Sequence, residues 1–435
     1  MAFTKATFWL LVLVSSLQIS KAEWSAEGRV GLRFYTEGPN VYIEEPIESG
    51  VQIFSHNHFN STLPVVILIH GMDASVDCIF VEESVKAMYF RGLNKNFNII
   101  ALNLPELLAV QSVMDKYLYT TAVNSKIAGV AVGKFLNNVI KQKFTTPDKI
   151  HVVGYSMGAQ VSGYLAREVK AEHGLINFIM GLDPAGIGFT PSTFASWYTG
   201  LTHVTADDAK YVHFVHCNSI GWGTLHYQAT ANFVFNGGNF QPGCATSKNL
   251  GCSHNRVPFY FIDSVLYPEN FVAKKCDSWK SFTSCQCESE ETVFVTFPPV
   301  LGAKGTYQLK TNSETPFGLS EAGVKCEKDT TVLEVSKFVK SLQENNKKIR
   351  KQGLKLNGKY VKTSSRKVHK TAKSPISFRH RTVDKYIKLH PKKPATSRSS
   401  KNKVKRSAKL KKQSKTHDIS MHDMVEHMHH NVVDK

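Results

Sequence analysis

The chain has 435 residues, 42% of them hydrophobic and 26 of them Phe, which excludes a wholly disordered polymer and leaves room for a sizeable core with extensions. Its formal net charge of +19 is unevenly placed: residues 1–350 carry 30 Lys and Arg against 30 Asp and Glu, while residues 351–416 carry 23 basic residues against one acid, Asp384. A strongly basic folded part is therefore excluded, and the excess charge belongs to a tail.

At the start, Lys5, the apolar run Phe8 to Val14 and the small-x-small triplet Ser20-Lys21-Ala22 read as a secretory signal over residues 1–22. The run is too short for an anchor, and no later stretch is long enough to span a bilayer. In an exported chain the 8 cysteines read as disulfide staples rather than metal ligands. Asn60-Ser61-Thr62 forms a glycosylation sequon in a polar loop.

From about Val30 to Phe317, short apolar runs alternate with helical periodicity. Val65 to Ile69, Asn98 to Leu102, Ile150 to Val153, Phe178 to Leu182 and Tyr211 to Val215 are the expected buried strands. Ala122 to Ile140 and a segment running to about His173 are expected helices. The pattern predicts an α/β sheet covered on both faces. After Cys217 the texture turns to Gly, Asn and aromatics, with longer loops. Thr331 and Glu334 are placed for a capping box on an amphipathic helix over 329–350. Residues 351–435 are poor in large apolar side chains and are expected to stay unfolded, ending in a segment rich in His and Met (His422, His427, His429, His430) that reads as a solvated end.

The central stretch is Gly154-Tyr155-Ser156-Met157-Gly158, which lies between an expected strand and an expected helix. Gly-x-Ser-x-Gly alone is weak, arising by chance roughly 0.15 times in a chain this long. Its context is that of a nucleophile elbow, in which the two glycines relieve a collision and the serine projects from the top of the sheet. A serine becomes nucleophilic when a histidine takes its proton and a carboxylate holds that histidine in one tautomer. The acid candidate is Asp183, directly after an apolar strand and hence at the same sheet edge as Ser156. The base candidate is His254, on a loop tethered by Cys252. The order Ser, Asp, His is that of α/β hydrolases.

Six ordered motifs carry a more specific likeness: Val65 to Gly71, Gly154 to Gly158, Gly181 to Gly186, Asp208 to Val212, Asn236-Gly237-Gly238 with Gln241 to Cys244, and Cys252-Ser253-His254. Together these resemble the pancreatic-lipase family of secreted lipases, closest to its insect and phospholipase A1-like members, over roughly residues 26–320. The resemblance implies an α/β-hydrolase domain, drawn here as residues 23–328, with Ser156, Asp183 and His254 as a triad. It implies an oxyanion hole from the backbone N–H groups of Met72 and Met157, disulfides Cys244–Cys252 and Cys276–Cys287, and no cofactor or metal. Cys78, Cys217, Cys285 and Cys326 stay unassigned. Met72 stands where the family usually has an aromatic residue, and Ala229 to Asn232 replace its Gly-His-x-Asp motif, so the acyl-side wall and substrate preference differ while the triad is kept.

The resemblance identifies the lid as the segment closed by Cys244 and Cys252, residues 245–251. So short a lid implies sn-1 phospholipid hydrolysis more than triglyceride hydrolysis. Yolk-protein relatives share the fold but lack the serine, which this chain keeps, and that argues against pure storage; a lipid carrier with little or no hydrolase activity is the alternative to an enzyme. The tail over 351–416 should draw anionic lipid surfaces or sulfated glycans outside the cell, and nucleic acid is not expected in that compartment.

Overall fold

All five residues of the strand Val65–Ile69 are buried, which is why this run reads as continuously apolar. Val65, Ile67 and Ile69 enter one hydrophobic cluster, while Val66 and Leu68 enter another on the opposite face of the sheet. The computed structural model describes residues 26–326 except 27, 110–116, 191–195, 197–198, 225 and 245–250. The expected leader, the helix over 329–350, the basic tail and all of the lid except Gly251 lie outside the described residues.

The sheet has 11 strands. In chain order they are β1 (Gly31–Gly38), β2 (Val41–Pro46), β3 (Val65–Ile69), β4 (Asn98–Asn103), β5 (Ile150–Tyr155), β6 (Ile176–Leu182), β7 (Ala209–His216), β8 (Ala231–Phe235), β9 (Val272–Lys275), β10 (Thr292–Phe294) and β11 (Gly305–Leu309). Their spatial order is β10-β9-β11-β8-β7-β6-β5-β3-β4-β1-β2. The run from β11 to β4 is parallel throughout. An antiparallel pair closes each side, β1 with β2 and β9 with β10. The five strands expected from sequence are all present, with ends running up to two residues further.

Among the described residues, four long helices cover the sheet. Helix α1 (Ile79–Arg91) and helix α4 (Val257–Leu266) pack on the Val66 and Leu68 face. Helix α2 (Ala122–Lys141) and helix α3 (Met157–His173) pack on the other. Helix α1 stops at Gly92, whose φ of 76° is the left-handed turn that glycine adopts freely. Among the described residues no helix is long and apolar enough to cross a membrane.

This topology fixes where chemistry can occur. From β3 the chain moves outward to β4, then returns to β5 and continues the other way through β6 and β7. The reversal opens a crevice at the carboxyl ends of β3 and β5, the position where open α/β sheets bind their ligands. Ser156 and Met72 both emerge there.

Candidate active site

The turn after β5 is built by overlap avoided rather than by attraction. A Cβ on Gly154 would overlap the Gly158 carbonyl, and one on Gly158 would overlap the Ile69 carbonyl. With those atoms missing, α3 starts immediately after the strand and approaches β3 closely. Ser156 bears the strain, at φ 54° and ψ −113°. Such a backbone costs about 1–3 kcal/mol, against about 1.5–3 kcal/mol gained for each large aliphatic side chain buried beneath it. Two bonds hold the turn: the Ser156 N–H donates to the Leu182 carbonyl at 2.9 Å, and the Ser156 carbonyl accepts from Ala185 N–H at 3.1 Å.

Ser156, Asp183 and His254 come from different elements and meet. His254 Nε2 lies 2.8 Å from Ser156 Oγ, and His254 Nδ1 lies 2.6 Å from Asp183 Oδ2. Asp183 is wholly buried, with Ser156 and His254 each 7% exposed. The second carboxylate oxygen, Oδ1, accepts the backbone N–H of Cys217 at 2.8 Å and of Asn218 at 3.1 Å. The acid therefore has partners on both oxygens, which offsets the penalty of burying its charge. Gly223 packs so near this carboxylate that a Cβ there would lie 2.6 Å from Oδ1.

Asp208, the other acid within the quoted motifs, is occupied elsewhere. Arg167 grips it with two of its three nitrogens, Nε to Oδ1 and Nη2 to Oδ2, each at 2.9 Å. It ties α3 to the start of β7.

The loop after β3 is held by a histidine that sequence reasoning quoted only as part of a motif. The His70 imidazole is fully buried, with Nε2 accepting from Leu104 N–H at 2.9 Å and Nδ1 facing the Gly71 carbonyl at 2.8 Å. Because Nε2 accepts, the proton sits on Nδ1 and is donated to Gly71. Burial pushes this histidine's pKa down to about 4, so it stays neutral. The Gly71 carbonyl and the Met72 N–H belong to one planar trans peptide and point in opposite directions. Fixing the carbonyl therefore aims the N–H. Met157, the first residue of α3, carries one of the N–H groups that a helix start leaves without an intrahelical partner.

Tyr155, the residue between Gly154 and Ser156, was not singled out from sequence. Its ring sits beside the His254 imidazole, and Phe80 and Gly71 contact it from other sides. Burial, with the Asp183 charge adding to it, raises its phenol well above the ordinary value, so the hydroxyl remains a donor. Gln241 was also legible only as a motif letter. It is a buried hub: Nε2 donates to the carbonyls of Cys217 and Phe235, each at 2.9 Å, and Oε1 accepts from Asn236 Nδ2 at 2.8 Å and the Tyr260 hydroxyl at 3.0 Å. Its own N–H reaches Ser253 Oγ at 3.0 Å, one residue before His254.

Cysteines pair as Cys244–Cys252, Cys276–Cys287 and Cys285–Cys326, the last a pairing the sequence left open. Cys78 and Cys217 are free thiols. Cys217 is buried beside Asp183, and both burial and that charge raise its pKa well above normal, so it stays protonated. Cys285, Glu288 and Cys326 lie within reach of one another, but the two sulfurs are bonded together rather than offered to an ion.

The fold is that of the α/β hydrolases, and it holds a serine, a histidine and an aspartate in hydrogen-bonded series. The Lipase family model matches residues 18–317, and the chain belongs to that family. It is 26% identical over 292 residues to the inactive pancreatic lipase-related protein 1 of Homo sapiens, covering 61% of this chain and 57% of that protein. It is 30% identical over 253 residues to the hepatic triacylglycerol lipase of Homo sapiens, covering 53% and 48%. It is 29% identical over 300 residues to the lipoprotein lipase of Rattus norvegicus, covering 62% and 60%. The chain spans about half the length of the relatives it matches.

Proposed function

We propose that this chain is an exported serine hydrolase of lipid carboxylic esters. Ser156 Oγ attacks the ester carbonyl while His254 Nε2 takes its proton, and Asp183 steadies the imidazolium through Nδ1. The oxyanion is received by the N–H groups of Met72 and Met157, each contributing on the order of 10²–10³ in rate. His254 then gives its proton to the leaving alcohol, and a water attacks the acyl-serine by the same route. The reading is carried by the unbroken series Asp183–His254–Ser156 at 2.6 and 2.8 Å.

Among lipid esters the substrate is an sn-1 phospholipid ester. The seven-residue segment between Cys244 and Cys252 supports this, since a short cover leaves room for a polar head group that a long apolar lid would exclude. The basic residues of 351–416 hold the enzyme at anionic lipid or sulfated glycan surfaces, an attraction that salt should weaken.

The test is a fluorophosphonate probe on the purified protein, followed by hydrolysis of a phospholipid and triglyceride panel. Labelling that Ser156→Ala abolishes, with release of the sn-1 acyl chain, is the expected result. A second reading, a lipid carrier, is kept because one relative at 26% identity is named inactive. It wins if the folded protein retains lipid yet neither labels nor hydrolyses.

A further inference from the structure

We propose that Asn60 carries an N-linked glycan, and that the sugar marks the pole of the molecule turned away from the lipid. The proposal rests on the reading of the chain as exported. Asn60-Ser61-Thr62 is the one Asn-x-Ser/Thr triplet in the sequence, and all three residues are exposed.

The local geometry suits the chemistry. Asn60 Oδ1 accepts from the Thr62 N–H at 2.9 Å and from the Thr62 hydroxyl at 2.7 Å. Both bonds end on the oxygen and neither uses Nδ2. The hydroxyl that the sequon requires is already turned onto the carboxamide it must assist. In the reaction Nδ2 attacks the anomeric carbon of a polyprenyl-pyrophosphate oligosaccharide. A C–N bond forms, the sugar–phosphate C–O bond breaks, the polyprenyl pyrophosphate departs with its electron pair, and Nδ2 loses one proton.

Position gives the modification its meaning. The Asn60 N–H donates to Asn98 Oδ1 at 2.9 Å, and Asn98 Nδ2 donates to the Asn60 carbonyl at 2.8 Å. Asn98 opens β4, and Lys149, which precedes β5, donates to the Ser61 carbonyl at 2.9 Å. The sequon loop is thus fastened beneath the amino ends of β4 and β5. Ser156 follows the carboxyl end of β5, six residues later along the strand. At about 3.3 Å per residue the two points stand roughly 20 Å apart along the strand direction. A hydrophilic oligosaccharide there leaves the crevice open and cannot enter a lipid layer, so the opposite face is the one free to meet it.

The experiment is expression of the full chain in a eukaryotic secretory host, with medium and cell fractions treated with peptide N-glycosidase in ¹⁸O water. We expect a single mobility step in the medium protein, an ¹⁸O-labelled aspartate at position 60, loss of the step in Asn60→Gln and Thr62→Ala, and its retention in Thr62→Ser. Fluorophosphonate labelling of Ser156 should be unchanged by the enzyme treatment. Medium protein whose position-60 peptide is unmodified overturns the glycan alone. Protein confined to the cytosol with residues 1–22 intact overturns export, and the glycan with it. A sequon-dependent glycan that blocks labelling until removed overturns its placement away from the crevice.

Discussion

The Tyr155 ring centroid lies 5.1 Å from that of His254, and the Tyr155 hydroxyl donates to Asn255 Oδ1 at 2.9 Å. Tyr155 thereby braces His254, the proposed base, and Asn255 after it. Tyr155→Phe keeps the ring and removes a hydrogen bond worth about 1 kcal/mol, so fluorophosphonate labelling should slow about fivefold. Tyr155→Leu also removes the aromatic contact and should slow it by tenfold or more. A fall in Tm without a fall in labelling rate would show that the ring only fills space.

Asp183→Asn has a direction set by its neighbours. Two backbone N–H groups, from Cys217 and Asn218, point at Oδ1 and require an oxygen there. The amide NH₂ must then face His254 Nδ1, which forces that nitrogen to accept and puts the proton on Nε2. With the base in the wrong tautomer, kcat should drop by about 10⁴ with little change in KM. Steady-state kinetics on a soluble ester measure this.

His70→Phe tests the aim of the loop proposed to supply an oxyanion donor. The variant leaves Leu104 N–H and the Gly71 carbonyl without their partners. Misdirecting Met72 N–H should lower kcat by up to about 10², and the unpaired groups should lower stability by about 1–3 kcal/mol. Chemical denaturation beside the kinetics separates the two effects.

Stability should fall in mild acid. Burial pushes His70, His151, His203 and His213 down to about 4, from an ordinary value of 6.5. Between those values the unfolded chain binds protons that the folded one refuses. Stability is therefore complete above about pH 6.5 and is lost progressively as the pH falls to about 4. His213 packs against Phe178 and Phe233, so His213→Phe should flatten the slope of unfolding free energy with pH by about one proton. Denaturant midpoints across this range give the slope.

Gln241→Leu should be among the more damaging changes outside the reacting groups. Four side-chain bonds vanish and leave the Cys217 and Phe235 carbonyls, Asn236 and Tyr260 short of a partner. A loss of roughly 3–5 kcal/mol is expected. Urea unfolding with intact m-value checks it.

The parallel strands were legible because burial on both faces leaves Val65–Ile69 wholly apolar and Ile150–Val153 broken by a single polar residue, His151. The elbow was legible because two glycines are a steric necessity there. Strand β8, Ala231–Phe235, was not picked out: it lies in Gly- and Asn-rich sequence, and its buried Asn232 needs His216, 16 positions away, whose Nε2 stands 3.1 Å from Asn232 Oδ1. Tyr155 reaches Asn255 100 positions away, His70 reaches Leu104 34 away and Gln241 reaches Cys217 24 away, and His70 also acts through the direction of a peptide plane; spacing along a chain encodes neither. The Cys285–Cys326 pairing depends on where β9 and β11 bring their flanking loops.

That cystine also sets how the molecule answers to force. Strand β11 ends at Leu309, and Cys326, the last described residue, is bonded through its sulfur to Cys285. Tension applied beyond Cys326 arrives at a covalent junction and is passed to the short helix Trp279–Thr283 and its neighbours before it can peel β11 from the sheet. A tug on the far end would strain a knot and leave the crevice at Ser156 undeformed.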